Sequence, residues 1–467
     1  MLPSQNALPS QNALAGQALN NQAIIAANRF GFGATPAEAG MIAADPRGWL
    51  LRQVPPGPAA PLPPALRDLP GAEKQAADFY AYRLARKEDQ AEAEKAARQV
   101  LQKSIQSEVA ALFVAQMQTD TPFVERWVQF WANHFCVSGR DQIVFAMAGA
   151  YEREAIRPHA FGRFADMLLA ATWHPAMLIY LDNASSIGPG SRAGGRRNVG
   201  LNENHAREIL ELHTVSRTGG YDQNDVIALA KILTGWTVTR NPNDGFALGK
   251  AGYRPQWHEP GMQILLGWEF PQQGEDQGEA ALQMLAVHPS TAQHVAEKLA
   301  RHFIADDPPK AAVAALAKSF KDSGGDLRKL AIALIERPEA WKPEYRKLRT
   351  PRDFMLAAAR LGNPDMNGQR FGGLLRQFGQ TTFQPPSPAG WPDRSGDWLA
   401  PDALRQRIEL SFLISQRVKP GPLQPDALLQ IAVGEGVSPE TRHAVQRAES
   451  RQVALATIFA APEFQWR

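Results

Sequence analysis

Residues 121–137 read TPFVERWVQFWANHFCV, and this stretch points to the fold class. Thr121 and Pro122 open a helix: proline at the first helical position loses only a donor that has no intrahelical partner there. Phe123, Trp127, Phe130, Trp131 and His134 then recur at i, i+3 and i+4, so aromatic bulk dominates one face.

The same period extends in both directions. Upstream, residues 72–118 are rich in Ala, Glu, Lys, Arg and Gln with almost no breaker, which predicts one or two long helices. IIAANRFGFGATPAEAG from Ile24 is a short helix running into a Gly-rich turn, with Thr35-Pro36 starting the next. PPGPAAPLPPA at 55–65 reads as an extended connector, because proline fixes φ and lacks a donor. Downstream, helical periods are expected at 151–182, 203–216, 223–235, 290–304, 310–321, 326–337, 351–361, 401–418 and 438 to the end. Strand alternation is almost absent outside a small hairpin around 237–270. The turn-rich segment 364–400 is too long for a passive link and is read as a packed functional loop.

The expectation is a mainly α, multi-helical single body with a small β-hairpin or irregular insertion and long surface loops. Residues 1–22, with LPSQNA repeated in tandem, form a disordered polar tail. Residues 23–70 form a helical hairpin with the Pro-rich connector, and 71–467 the main helical domain, with a sub-boundary near 270–290.

The chain has 467 residues, 44% hydrophobic and 21% charged, within the globular range. Fifty Lys and Arg against 47 Asp and Glu leave a formal +3, too little to announce a nucleic-acid partner. The single cysteine, Cys136, excludes an intrachain disulfide, so any metal would take His and carboxylate ligands. No window approaches the ~18 apolar residues of a membrane span. The first 22 residues carry no export signal, which reads as cytoplasmic.

The densest polar text is NENHAREILELHT from Asn202. At about 100° per residue, Asn204, Arg207, Glu208 and Glu211 share one face and Ala206, Ile209, Leu210 and His213 the other. The plain reading is a solvated face with an Arg207–Glu211 pair. The functional reading is a cleft wall, where Arg207 keeps one carboxylate ionised and desolvation raises the pKa of the other, as acid–base catalysis requires. Glu208, Glu211 and Arg207 are therefore the catalytic candidates.

Substrate-binding candidates are Asn204 together with Trp131, Asn133 and His134 of the quoted helix, Asp182, Trp236 and His258. Each has a structural alternative: core histidine, helix-end satisfier, or buried indole. Asp222 is read as the N-cap of the next helix, with Asp225 in its first turn. IGPGSRAGGRRNVG from Ile187 reads as a mobile basic loop. His294, Lys298 and His302, four residues apart, read as a solvated cationic stripe. Eleven tryptophans serve as core residues or as stacking platforms for sugar rings.

These motifs, in this order, resemble a bacterial family, domain of unknown function 1800. The likeness rests on NRFGFGATP from Asn28, ERWVQFWANHFCVS from Glu125, HPAMLIYLDNASSIGPGS from His174, GLNENHAREIL from Gly200, GGYDQNDVIALAKILTGW from Gly219, WHEPGMQILLG from Trp257, HPSTAQHVAEKLARHF from His288 and SPAGWPD from Ser387. It covers nearly everything after residue 22. The resemblance implies no settled reaction, cofactor or catalytic residue. It does imply periplasmic or exported relatives, often encoded beside a sulfatase-like protein, and so a partner of that kind and a polymer or sulfated-glycan setting. His205 stands where such relatives carry a bulky residue such as Tyr or Leu.

The favoured functional expectation is a hydrolase of a glycan or other polymer using paired carboxylates. The alternative is a non-catalytic binding or assembly protein with a sulfatase-like partner. A third is a metal enzyme using His134, His213 or His258. No cofactor is legible.

Overall fold

The computed structural model describes residues 19–197, 200–240, 247–272, 274–419 and 421–467. Most of the expected tail lies outside them; at its end Leu19 is buried and Asn20 caps a helix over Asn21–Arg29, accepting the Ala23 amide at 2.9 Å.

The fold is mainly α. Helices Ala72–Lys87 and Ala91–Gln118 form a hairpin, reversing at Asp89, whose φ of 56° is left-handed. Helix Pro122–His134 follows and becomes the centre of the core. Trp127 and Trp131 are both 0% exposed and meet edge to face at 5.8 Å, and Phe30, Phe161 and Phe303 pack around Trp127 or its neighbours. Such ring pairs add about 0.5–1.5 kcal/mol each beyond the area they bury. The Trp127 indole N–H donates to Ala160 O at 2.7 Å, so this large ring carries no unmet polar group.

One continuous hydrophobic core runs from Leu19 to Phe464 and includes Phe30 and Trp49 from the N-terminal hairpin. It also includes Leu282 and Leu285 on helix Glu275–Val287, which the sequence reading missed. The 55–65 connector has no helix except the short turn Pro64–Leu66, and is fastened by Ala60 N–H to Arg157 O.

Several expected helices are divided. The 151–182 run breaks into the end of Gln142–Tyr151, a wide π turn at Glu152–Ile156, a tight turn at Arg157–His159, and helices Phe164–Trp173 and Pro175–Tyr180. The 203–216 run is α over Asn204–Glu208 and π over Ile209–His213. The 364–400 segment is not all loop, because helix Gly368–Gln377 occupies its first half and packs on Ala91–Gln118. Helix Pro425–Val433 was also unread. The expected hairpin region holds two two-stranded antiparallel ribbons, Trp236–Val238 with Ala251–Tyr253 and Gln263–Leu265 with Trp268–Phe270. No helix among the described residues is long and apolar enough to cross a membrane.

Candidate functional site

The polar helix after Gly200 keeps the two faces its period predicts. Ala206, Ile209 and Leu210 are 0% exposed, while Asn204, Arg207, Glu208 and Glu211 are half-buried. Its ion pairs differ from expectation. Arg207 bonds Glu203 at 2.9 Å and Gln223 at 3.1 Å, and Glu211 is held instead by Arg217, with Nε at 2.6 Å. The π turn widens the helix between Arg207 and Glu211, and Arg217 enters from the following loop.

Glu208 receives no hydrogen bond among the described residues. Burial, then the Glu211 charge, raises its pKa from the ordinary carboxylate value. Glu211 thus has Arg217, and not the expected Arg207, as its arginine partner.

The other candidates do not gather on this face. Trp131 is sealed in the core, and His134 is 1% exposed with its Nε2–H donated to His213 O at 3.1 Å. The reason is the aromatic stripe itself, which must be buried. Trp236 stacks on Trp173 at 4.3 Å, and His258 is buried with Nδ1–H donated to Thr234 O at 2.9 Å. Asp182 is exposed at a helix end with φ 61°. Asp222 forms a full capping box with Asp225, as expected. In the Gly-rich loop, the Gly190 amide donates to Glu259 at 2.7 Å, and a Cβ at Gly188 would lie 2.6 Å from Glu259 backbone, so this part is tied down. Residues 198–199 of that loop lie outside the described residues.

Asn133 does reach a hollow. Its amide clamps Trp391 from both sides, donating to Trp391 O at 3.1 Å and accepting Trp391 N–H at 2.8 Å. The clamp fixes the loop carrying SPAGWPD over the end of helix Pro122–His134. Beneath it lies a hollow of about 100 Å³ lined by Gln116, Gln129, Asn133, Cys136, Tyr151, Glu152, His302, Arg352, Gln380, Trp391 and Asp393. A larger groove of about 450 Å³, lined by Gln102, Gln106, Gln142, Gln369, Arg376, Thr381 and Thr382, adjoins it through the 380–383 stretch.

In the hollow, His302 Nδ1–H donates to an Asp393 carboxylate oxygen at 3.1 Å, and Nε2 has no partner. Asp393 also lies 3.7 Å from Lys347 Nζ. Burial would raise the Asp393 pKa, but His302 and Lys347 outweigh it and hold the group well below the usual range. Burial lowers the His302 pKa against the pull of Asp393, favouring neutral imidazole. The Cys136 thiol is pushed up to about 12 by burial and stays protonated.

His302 was part of the stripe read as solvated. It is 8% exposed, His294 donates Nε2–H to Leu212 O at 3.0 Å, and burial lowers Lys298 to about 8. Spacing gave the shared helix face correctly but not its surroundings. His302, Asp393, Arg352 and Gln129 line this hollow and were not among the sequence candidates; the one signal was that His302 is next to last in HPSTAQHVAEKLARHF and Asp393 last in SPAGWPD.

Among the described residues, no group of three or more His, Cys, Asp or Glu side chains is placed to hold a metal ion. No curated protein and no solved structure matches the chain. A family model described as protein of unknown function (DUF1800) matches residues 25–466, nearly the whole chain, and the protein belongs to that family.

Proposed function

We propose that the protein is a hydrolase of an ester-type bond on a hydroxyl-rich polymer such as a glycan, with His302 as general base in the hollow beneath the 380–393 loop. The observation that carries this is the His302–Asp393 pair: both residues line the hollow, and the imidazole Nε2 is buried with no partner of its own. Neutral imidazole takes a proton from an attacking water, and Asp393 stabilises the imidazolium that forms. The same proton then passes to the leaving alkoxide, giving a carboxylic acid and an alcohol. Water is the nucleophile, since the Cys136 thiol is held protonated. Trp391 at the hollow and the amide-rich groove beside it suit a polymer with sugar-like faces.

The test is a panel of acylated polysaccharides and simple esters. His302→Ala and Asp393→Asn should each lower kcat by roughly 10²- to 10⁴-fold while circular dichroism stays native. Undiminished turnover in both variants would overturn the assignment.

A second reading keeps Glu208 as proton donor and Glu211 as its ionised partner in glycoside hydrolysis. The raised Glu208 pKa favours it. Loss of glycosidase activity in Glu208→Gln, with His302→Ala unaffected, would select it over the first.

A further inference from the structure

Arg352 is the one cation lining the hollow that forms no ion pair among the described residues. Its Nε and Nη2 donate to one neutral acceptor, Gln116 Oε1, at 3.1 and 2.7 Å. Its backbone N–H donates to Gln380 Oε1 at 2.8 Å. Both glutamines are buried; Gln116 fixes the side chain without neutralising it, and Gln380 holds the backbone. The neighbouring acids are already engaged. Glu152 is bound by Arg157 at 3.0 Å, Asp353 by Arg126 at 3.2 Å, and Asp393 by His302 and Lys347. A guanidinium has five N–H donors, so the Gln116 contacts leave three of them for a ligand.

Two residues lining the same hollow have a buried acceptor without a partner. Gln129 Oε1 is buried and unbonded, its amide N lying 3.5 Å from Asp353. His302 Nε2 is the other, on a residue 8% exposed. A lone buried acceptor is costly unless water or ligand meets it. A cationic fork and two unmet acceptors on residues lining one hollow match a ligand that carries an oxyanion together with hydroxyl groups.

We propose that Arg352 anchors an oxyanion, carboxylate or sulfate, of the ligand entering this hollow, so that the substrate is acidic, of the uronic-acid or sulfated-sugar type. This rests on the hollow being the functional site. The Arg fork matches planar carboxylate bidentately and also accepts a tetrahedral sulfate. Arg352 is a binding residue here and takes no part in proton transfer. Burial lowers its pKa, in line with a charge that lacks a counter-ion.

The probes are glucuronate, glucose 6-sulfate and glucose, each added at rising concentration to the full chain while the thermal midpoint is followed. The expected result is a concentration-dependent rise with one or both acidic sugars, none with glucose, and at least a tenfold weaker response in Arg352→Gln. Which acidic sugar acts separates carboxylate from sulfate. Arg83→Gln, at an exposed position, controls for loss of general positive charge. Arg352→Lys should fold with the charge kept and the fork lost, giving an intermediate response. If Arg352→Gln does not fold, anomalous density from a selenate soak locates the anion in the unaltered protein. No response to either acidic sugar, an equal response to glucose, or selenate sites only away from Arg352 would overturn the proposal. His302→Ala should retain the anion response, so failed catalysis with anion binding intact overturns the reaction and leaves the anchor standing.

Discussion

His302 Nδ1 lies 3.1 Å from an Asp393 carboxylate oxygen, although 91 residues separate the two in the chain. Helix Pro289–Phe303 supplies the imidazole, and the Asn133–Trp391 clamp holds the loop that brings the carboxylate to it. The pair therefore depends on a contact made by neither partner. Asn133→Ala should release the loop and lower hydrolysis by about tenfold or more through misplacement. An Asn133→Ala variant with full kcat would detach the clamp from the chemistry.

Activity should follow the protonation of His302. Its pKa is lowered by burial, so the neutral base persists below the usual pH ~6.5 of histidine. The acid limb of the kcat/KM profile is expected under that value, and Asp393→Asn should remove the partner that now raises the pKa and shift the limb still lower. A limb above pH 7 would exclude His302 as the base.

His205 is 0% exposed with both ring nitrogens unbonded, and burial lowers its pKa to about 3. A histidine whose folded pKa lies below its unfolded value adds no protonation penalty above about pH 6.5 and lowers stability increasingly as pH falls from there towards the folded value. His205→Leu removes an unsatisfied buried polar group worth about 1–3 kcal/mol. The variant should be more stable at pH 7.5, and the gain should grow at pH 5. Urea melts at both values test this; an equal or negative effect at pH 5 would contradict it.

Arg157 is 2% exposed and binds Glu125 through both Nη atoms, at 2.9 and 2.7 Å, while Nε reaches Glu152 at 3.0 Å. Burial lowers its pKa, and the two carboxylates more than reverse that. Glu125→Ala leaves Arg157 partly unpaired in the core and should cost about 3–5 kcal/mol. Chemical denaturation would show this as a lower midpoint, and a change under about 1 kcal/mol would mean that the triad is offset by its desolvation.

Gly368 begins helix Gly368–Gln377 where it presses on Ala91–Gln118. A Cβ there would lie 2.2 Å from Ala110 Cα and 2.6 Å from its carbonyl oxygen. Gly368→Ala should force the helices apart at a cost of about 1–3 kcal/mol. Since the second helix borders the groove lined by Gln369 and Arg376, polymer affinity should fall with stability.

The sequence by itself determined what depends on neighbours a few residues apart. Aromatic spacing set helix Pro122–His134, Asp222 announced its capping box, the breaker-free 72–118 run read as helix without fixing whether one or two, and the two faces of the helix after Asn202 followed from angular period. Each is decided by local sterics and hydrogen bonds that the residue types already specify. Tertiary structure decided which polar groups meet and which meet water. The hollow joins helix ends and loops from residues 116 to 393, His302 left an apparent solvated stripe because other segments cover it, and Glu211 took Arg217 after a π turn that no 3.6-residue period foretells. Burial and long-range pairing are properties of the packed chain, and spacing along one segment carries no record of what packs against it.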